Sequence, residues 1–203
     1  FANQKKLGIM PANAQLTPWP KGLPEWDSLS AVEKRLFIKQ MDVYAAYIAY
    51  TDHEIGRVIQ AVEDLGQRDN TLVIYITGDN GPSAEGLRNG TPNEFTAFNG
   101  VAMEANPQLI WYPFWGSERT FPHFAAGWAW AMATPFKWVK QVASHFGGTA
   151  QGVAMSWPDR IKDTGGIRSQ FHRVIDSAPA VLEATGVPVP DTINGIKQRP
   201  MNG

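Results

Sequence analysis

Between Ser30 and Leu65 the apolar positions recur at Phe37, Met41, Tyr44, Ile48, Ile55, Val58, Val62 and Leu65, in steps of three, four or seven. That spacing follows a period of about 3.6 residues and predicts one long amphipathic helix with a buried face. Ser30-Ala31-Val32-Glu33 supplies a capping box at its start, and Gly66 is a natural terminator. Asp69-Asn70 is turn chemistry. The pattern then changes to the unbroken apolar run Leu72-Val73-Ile74-Tyr75-Ile76. Such a run beside a helix predicts a strand over Thr71–Gly78 in a parallel sheet covered on both faces. Downstream, Val153–Met155 reads as a second strand, and Ala178, Val181 and Leu182 fall on one side of a helix running from about Asp176 to Thr185 and ending at Gly186. Thr134-Pro135 could cap a short helix carrying Lys140, because proline is favoured at the first helical position.

Between these elements the order is lower. Residues 1–29, punctuated by proline and tryptophan, read as an extended connector. Residues 82–133 form a long irregular insertion holding Trp111, Trp115, Trp128 and Trp130, four of the eight tryptophans. Irregular stretches of this length are commonly functional lids; the alternative is a loop stapled to the body by buried rings. The tail Val187-Pro188-Val189-Pro190 followed by Asn194-Gly195 is extended and turn-rich. The fold class is therefore α/β, with parallel strands flanked by helices.

Candidate chemistry begins at the strand tip, Gly78-Asp79-Asn80-Gly81. Ligands of open α/β sheets bind beyond the carboxyl ends of strands, and carboxylate and amide oxygens suit Ca²⁺ or Mg²⁺. The same tetrapeptide is also ordinary turn chemistry. The four histidines, His53, His123, His145 and His172, lack the spacing of a zinc pair. His123 or His145 could line a pocket, although a hydrogen-bonded structural histidine is the commoner case. A net charge of −1 without single-sign blocks implies neither nucleic acid nor an anionic membrane as partner. The uncharged stretch Phe121–Phe136 is too short, and too interrupted by Pro122 and His123, to span a bilayer.

Three blocks in order give the chain a specific resemblance. The first runs from Tyr47-Ile48-Ala49-Tyr50-Thr51-Asp52-His53-Glu54 through Asp69-Asn70-Thr71 to Thr77-Gly78-Asp79-Asn80-Gly81. The second is Thr134-Pro135-Phe136-Lys137-Trp138-Val139-Lys140-Gln141-Val142-Ala143-Ser144-His145-Phe146-Gly147-Gly148. The third joins Val153-Ala154-Met155-Ser156-Trp157-Pro158 to Arg168-Ser169-Gln170-Phe171 and Val174-Ile175-Asp176-Ser177-Ala178-Pro179. Together they resemble the arylsulfatase branch of the alkaline-phosphatase-like superfamily from about Leu29 onward.

The resemblance implies a sulfuric ester hydrolase using one divalent cation, usually Ca²⁺, and a formylglycine nucleophile made from Cys or Ser. Asp79 and Asn80 match two of the four protein ligands of the metal, and Lys140 matches the lysine that contacts the sulfate and the leaving-group oxygen. The substrate implied is a small sulfate ester, and a periplasmic or secreted location is plausible from the family alone. The nucleophile motif normally lies near the N-terminus, ahead of the long helix, and this chain contains no cysteine. The expectation is thus a middle-to-C-terminal fragment, truncated at both ends, with the rest of its own chain as partner: residues 30–203 form part of the catalytic α/β domain, with a partial alkaline-phosphatase-like sheet and no nucleophile. Ser156-Trp157-Pro158-Asp159-Arg160 does satisfy S-x-P-x-R, but it follows a strand and lies downstream of the lysine, so it reads as a strand-end turn.

Two other readings stay open. Phosphate or phosphonate ester hydrolysis would use the same superfamily scaffold. A binding module without catalysis draws support from Ala150, where this branch commonly carries Arg after Gly-Gly-Thr.

Overall fold

The computed structural model describes residues 1–78 and 80–201, and the chain divides into two units, Phe1–Thr164 and Gly165–Gly203. In the first unit a helical turn, α1 (Ala2–Lys6), opens the expected connector, and a 3-10 turn at Trp26–Ser28 closes it. The connector is held by its tryptophans. Trp19 meets Trp130 with ring centroids 4.7 Å apart, Trp26 meets Trp128 at 5.9 Å, and Gln4 Nε2 donates to the Thr134 carbonyl.

The long periodic pattern forms α2 (Ala31–Asp64), 34 residues entered through the capping box. The Ser30 hydroxyl accepts from Glu33 N–H, while Glu33 Oε2 accepts from Ser30 N–H at 2.8 Å and from its hydroxyl at 2.7 Å. These bonds, the hydroxyl one foremost, hold the Glu33 carboxyl below its ordinary pKa, which satisfies orphan donors and suits the positive end of the helix dipole. Gly66, at φ +68°, ends the helix in the left-handed conformation expected of it.

Burial departs from the simple stripe. The buried residues of α2 are Leu36, Phe37 and Gln40, all in its first three turns. Beyond Tyr44, Ile55 and Val62 are half-buried, whereas Ile48, Val58 and Leu65 are exposed. The core lies where this first part meets the insertion: Leu29, Leu36 and Phe37 pack with Ala105, Trp115 and Ala125, flanked by Val32, Val43, Leu109 and Trp128.

The insertion folds as short pieces: α3 (Glu94–Phe98), α4 (Ala105–Gln108), a 3-10 stretch Leu109–Phe114, and α5 (Ala126–Met132). Three of its tryptophans act as staples. Trp115 is buried, Trp128 Nε1 donates to the Phe37 carbonyl at 3.0 Å, and Trp130 packs at a tilt against Trp19. Polar side chains do as much. Gln40, 2% exposed, donates from Nε2 to the Asn89 carbonyl at 2.8 Å and accepts from Ala125 N–H at 2.9 Å. Gln108 adds bonds to the Gly90 and Met103 carbonyls. An irregular backbone can be buried here because its own groups find these partners.

The sheet corrects the parallel expectation. β1 (Val73–Thr77) pairs with β2 (Gly152–Ser156) antiparallel, in register Val73↔Ser156 through Thr77↔Gly152, with α6 (Phe146–Thr149) just before β2. Nor is β1 covered on both faces, since Tyr75 and Ile76 are 38% and 40% exposed. Among the described residues this sheet has two strands. An apolar run has no directional sense of its own, so pairing was legible in it only as far as strand formation.

In the second unit, α7 (Ser177–Thr185) ends at Gly186 in the left-handed conformation, as its sequence predicts. The tail closes as a hairpin of β3 (Thr192–Ile193) and β4 (Ile196–Lys197). Its turn residues Asn194 and Gly195 both have positive φ, the geometry that a two-residue Asn-Gly hairpin favours.

Candidate active site

Asp79 lies outside the described residues. After Gly78, at φ +82°, Asn80 leads into Gly81 and Pro82. Gly81 N–H donates to the Gly148 carbonyl at 2.9 Å, and Lys140 N–H donates to the Pro82 carbonyl at 3.0 Å. Gly147 N–H reaches back to the Lys137 carbonyl at 3.0 Å. These main-chain bonds lock the β1 tip, the lysine segment and the Gly147-Gly148 pair into one unit.

The lock requires glycine. A Cβ on Gly81 would sit 1.7 Å from the Gly147 carbonyl oxygen, and one on Gly147 would sit 1.9 Å from that of Trp138 and 2.2 Å from that of Lys137. We therefore expect Gly147→Ala to displace the lysine segment. Hydrogen exchange at the Lys140 and Gly81 amides checks this, and it should quicken in Gly147→Ala but not in the control Gly127→Ala, where a Cβ meets nothing within 4 Å. Equal exchange in the two variants would refute the role of the lock.

Lys140 does not lie on a helix, contrary to the sequence expectation. The Thr134-Pro135 bond is cis, and Trp138 and Gln141 have φ of +65° and +77°. Left-handed residues on either side of Lys140 exclude an α-helix there. The segment instead wraps the glycine pair.

From that loop the Lys140 side chain pairs with Glu85, Nζ to Oε2 at 2.9 Å, with 34% of the lysine side chain and 21% of the glutamate side chain exposed. Glu85 Oε1 accepts from Gln141 Nε2 at 2.9 Å, and Oε2 also accepts from the Ser83 hydroxyl at 2.6 Å. Ser83 Oγ in turn lies 2.9 Å from His123 Nε2. His123 is fixed by paired main-chain bonds with Thr91, and its Nδ1 lies 3.0 Å from the Phe124 carbonyl. Ser83 first, then Lys140, hold the Glu85 carboxyl below its ordinary pKa. A lowered carboxylate pKa contributes stability at neutral pH, which is lost as the pH falls through the folded-state value.

Of the sequence-predicted residues, the structure brings Asn80 and Lys140 onto one interlocked unit. It adds Ser83, Glu85 and Gln141, which the sequence reading missed. Glu85 is 55 positions from Lys140, so no spacing rule connects them; its closeness to the Asp79-Asn80 tip was the one available signal. His123 joins the network, whereas His145 bonds Ser144 and packs edge-on to Trp138, which is structural work. Ser156 sits at the opposite end of the strand pair, opposite Val73 and bonded to Arg68 Nη2 at 2.8 Å. Four residues of strand, about 13 Å, separate that register position from Thr77, so Ser156 faces different chemistry, and residues 158–160 form a turn.

Among the described residues there is no cluster of three or more His, Cys, Asp or Glu able to hold a metal ion. A hard divalent cation takes about six to eight oxygens as calcium or six as magnesium. The Asn80 amide oxygen and the Asp79 carboxylate have the right donor chemistry, but they amount to one side of such a shell.

The family model described as Sulfatase matches residues 4–187. An uncharacterised sulfatase of Schizosaccharomyces pombe is 31% identical over 198 residues, covering 92% of this chain and 32% of that protein. An arylsulfatase of Klebsiella aerogenes is 27% identical over 188 residues, covering 92% of this chain and 38% of that protein. The chain belongs to the sulfatase family. It spans about a third of the length of these relatives.

Proposed function

We propose that the natural-length protein is a sulfuric ester hydrolase of the arylsulfatase type, on an alkaline-phosphatase-like scaffold. This chain would supply one side of its cation site and the lysine that meets the sulfate. The observation that carries the reading is the interlock of the Asn80 tip with Lys140, made by main-chain bonds on a glycine pair that tolerates no side chain. The similarity to the Klebsiella aerogenes arylsulfatase supports it.

Asp79 and Asn80 would hold a divalent cation, Ca²⁺ by their oxygen chemistry. When bound, that cation supplies Lewis-acid polarisation of a sulfate oxygen, and a formylglycine from elsewhere in the natural-length protein supplies the attacking oxygen. The chain's own contribution is fixed positive charge. As the S–O bond to the leaving group breaks, negative charge grows on the departing oxygen, and an ammonium already aimed at that place stabilises it without reorganising. Lys140 has three N–H donors, of which Glu85 engages one. The others are available for ligand oxygens, and the partial exposure of the lysine gives a ligand access.

The test is parallel hydrolysis of 4-nitrophenyl sulfate and 4-nitrophenyl phosphate with Ca²⁺ by the natural-length protein, co-produced with a formylglycine-generating enzyme. Preference for the sulfate ester is expected. Preference for the phosphate ester would replace the reading with phosphate-ester hydrolysis, and inertness toward both would favour a binding module.

A further inference from the structure

We propose that His123, Ser83 and Glu85 form a charged relay behind Lys140, with both His123 ring nitrogens protonated, and that Glu85 is a positioning residue fixing the direction of the lysine ammonium. The mechanistic half of this proposal rests on the sulfate-ester reading; the protonation half rests on geometry alone.

The argument is an accounting of protons. Glu85 Oε2 accepts from Lys140 Nζ at 2.9 Å and lies 2.6 Å from Ser83 Oγ. A carboxylate can only accept, so the single hydroxyl proton of Ser83 must point at Glu85. Ser83 Oγ then offers only lone pairs toward His123 Nε2, 2.9 Å away, and that nitrogen must donate. Nδ1 lies 3.0 Å from the Phe124 carbonyl oxygen, which again can only accept. Both ring nitrogens are therefore donors, which is the imidazolium form.

Either neutral tautomer breaks a contact. With Nε2 bare, the hydroxyl proton turns to the ring and leaves two oxygens 2.6 Å apart with no proton between them. With Nδ1 bare, a nitrogen lone pair faces a carbonyl lone pair at 3.0 Å. Through its hydrogen bonds the ring reaches the charged Glu85, by way of Ser83, and Lys140 beyond it; Phe124, itself edge-on to Tyr44, packs on the ring's side with centroids 4.7 Å apart.

The sequence of charges is imidazolium, carboxylate, ammonium. Glu85 is held from three directions, by Ser83, Gln141 and Lys140, so its oxygens have little freedom to turn. An ammonium tied to so fixed an acceptor keeps its remaining donors on one bearing, which is what a developing oxyanion requires. The net positive charge of the three groups also suits an anionic ester.

The experiment has two arms on the natural-length protein. The first is ¹⁵N NMR of histidine-labelled protein at neutral pH, with the His123 signals assigned by His123→Gln or by their nuclear Overhauser contacts to Phe124. Two protonated ring nitrogens are expected, and one bare nitrogen would overturn the relay. The second is kinetics on 4-nitrophenyl sulfate. Glu85→Gln should lower kcat about a hundredfold with KM changing far less, and Glu85→Asp should recover part of the loss. A Glu85→Gln protein within twofold of the parent in kcat would overturn the positioning role. Should Glu85→Gln not fold, Ser83→Ala carries the kinetic test with the same directions. A protein that cleaves phosphate esters instead would sink the sulfate reading, while the histidine spectrum would still decide the relay.

Discussion

Lys140→Ala in the natural-length protein should lower kcat for 4-nitrophenyl sulfate by about a hundred- to a thousandfold, the range seen when one preorganised transition-state donor is removed. The loss should fall on kcat and kcat/KM together, because in the proposed reaction the lysine would meet charge that grows as the ester bond breaks. The fold should survive, since the side chain is a third exposed and its loop is held by main-chain bonds that alanine keeps. Lys140→Arg should not rescue the rate. A planar fork cannot place a compact charge from the same loop with the same partner. Steady-state kinetics with circular dichroism as the folding control checks both variants. A kcat within a few-fold of the parent would remove the lysine from the reaction.

Gln40→Met should loosen the insertion where it is pinned to α2. The substitution keeps the length and apolar stem of the side chain but removes both bonds from its amide. Ala125 N–H would lose its 2.9 Å acceptor and the Asn89 carbonyl its 2.8 Å donor, both buried. Leaving such groups unpaired costs about 1–3 kcal/mol each. Gln108 Nε2, 3.4 Å from the Asn89 carbonyl, offers only weak compensation. Opening of the insertion should therefore become easier by about 2–4 kcal/mol, and hydrogen exchange across residues 89–125 should quicken by roughly thirtyfold or more. Unchanged exchange there would mean the glutamine fills space rather than pins the loop. Gly90, whose Cβ position falls 2.4 Å from Gln40 Nε2, shows how closely the backbone approaches that amide.

These two residues also mark what was legible in the sequence. Lys140 is singled out only by standing within a fifteen-residue block resembling sulfatases; as a lone lysine beside apolar neighbours it carries no signal. Its predicted helix was wrong because the local cues, Thr-Pro followed by helix formers, were overruled by packing against Gly147 and Gly148. Gln40 escaped because a polar residue breaks a hydrophobic stripe, yet it sits between Phe37 and Tyr44 on the buried side of α2. Local chemistry carried further where the interaction was itself local: the Ser30–Glu33 capping box, the Gly66 and Gly186 stops and α7 all formed as read. Strand β1 formed too, but its antiparallel partner lies about eighty residues away, and nothing in five apolar residues encodes that direction. The network of Ser83, Glu85 and His123 is non-local in the same way. All three lie within the insertion, Ser83 and Glu85 at its start beside the strand tip and His123 forty residues further on.

The central claim is that Asp79, Asn80 and Lys140 converge on one sulfate ester. Its most direct test is a crystal structure of the natural-length protein grown with Ca²⁺ and a non-hydrolysable aryl sulfamate. The account predicts one cation with oxygens of Asp79 and Asn80 in its shell, and Lys140 Nζ donating to the bound sulfamate while still paired with Glu85. A cation bound away from the strand tip, or Lys140 turned from the ligand, would contradict it.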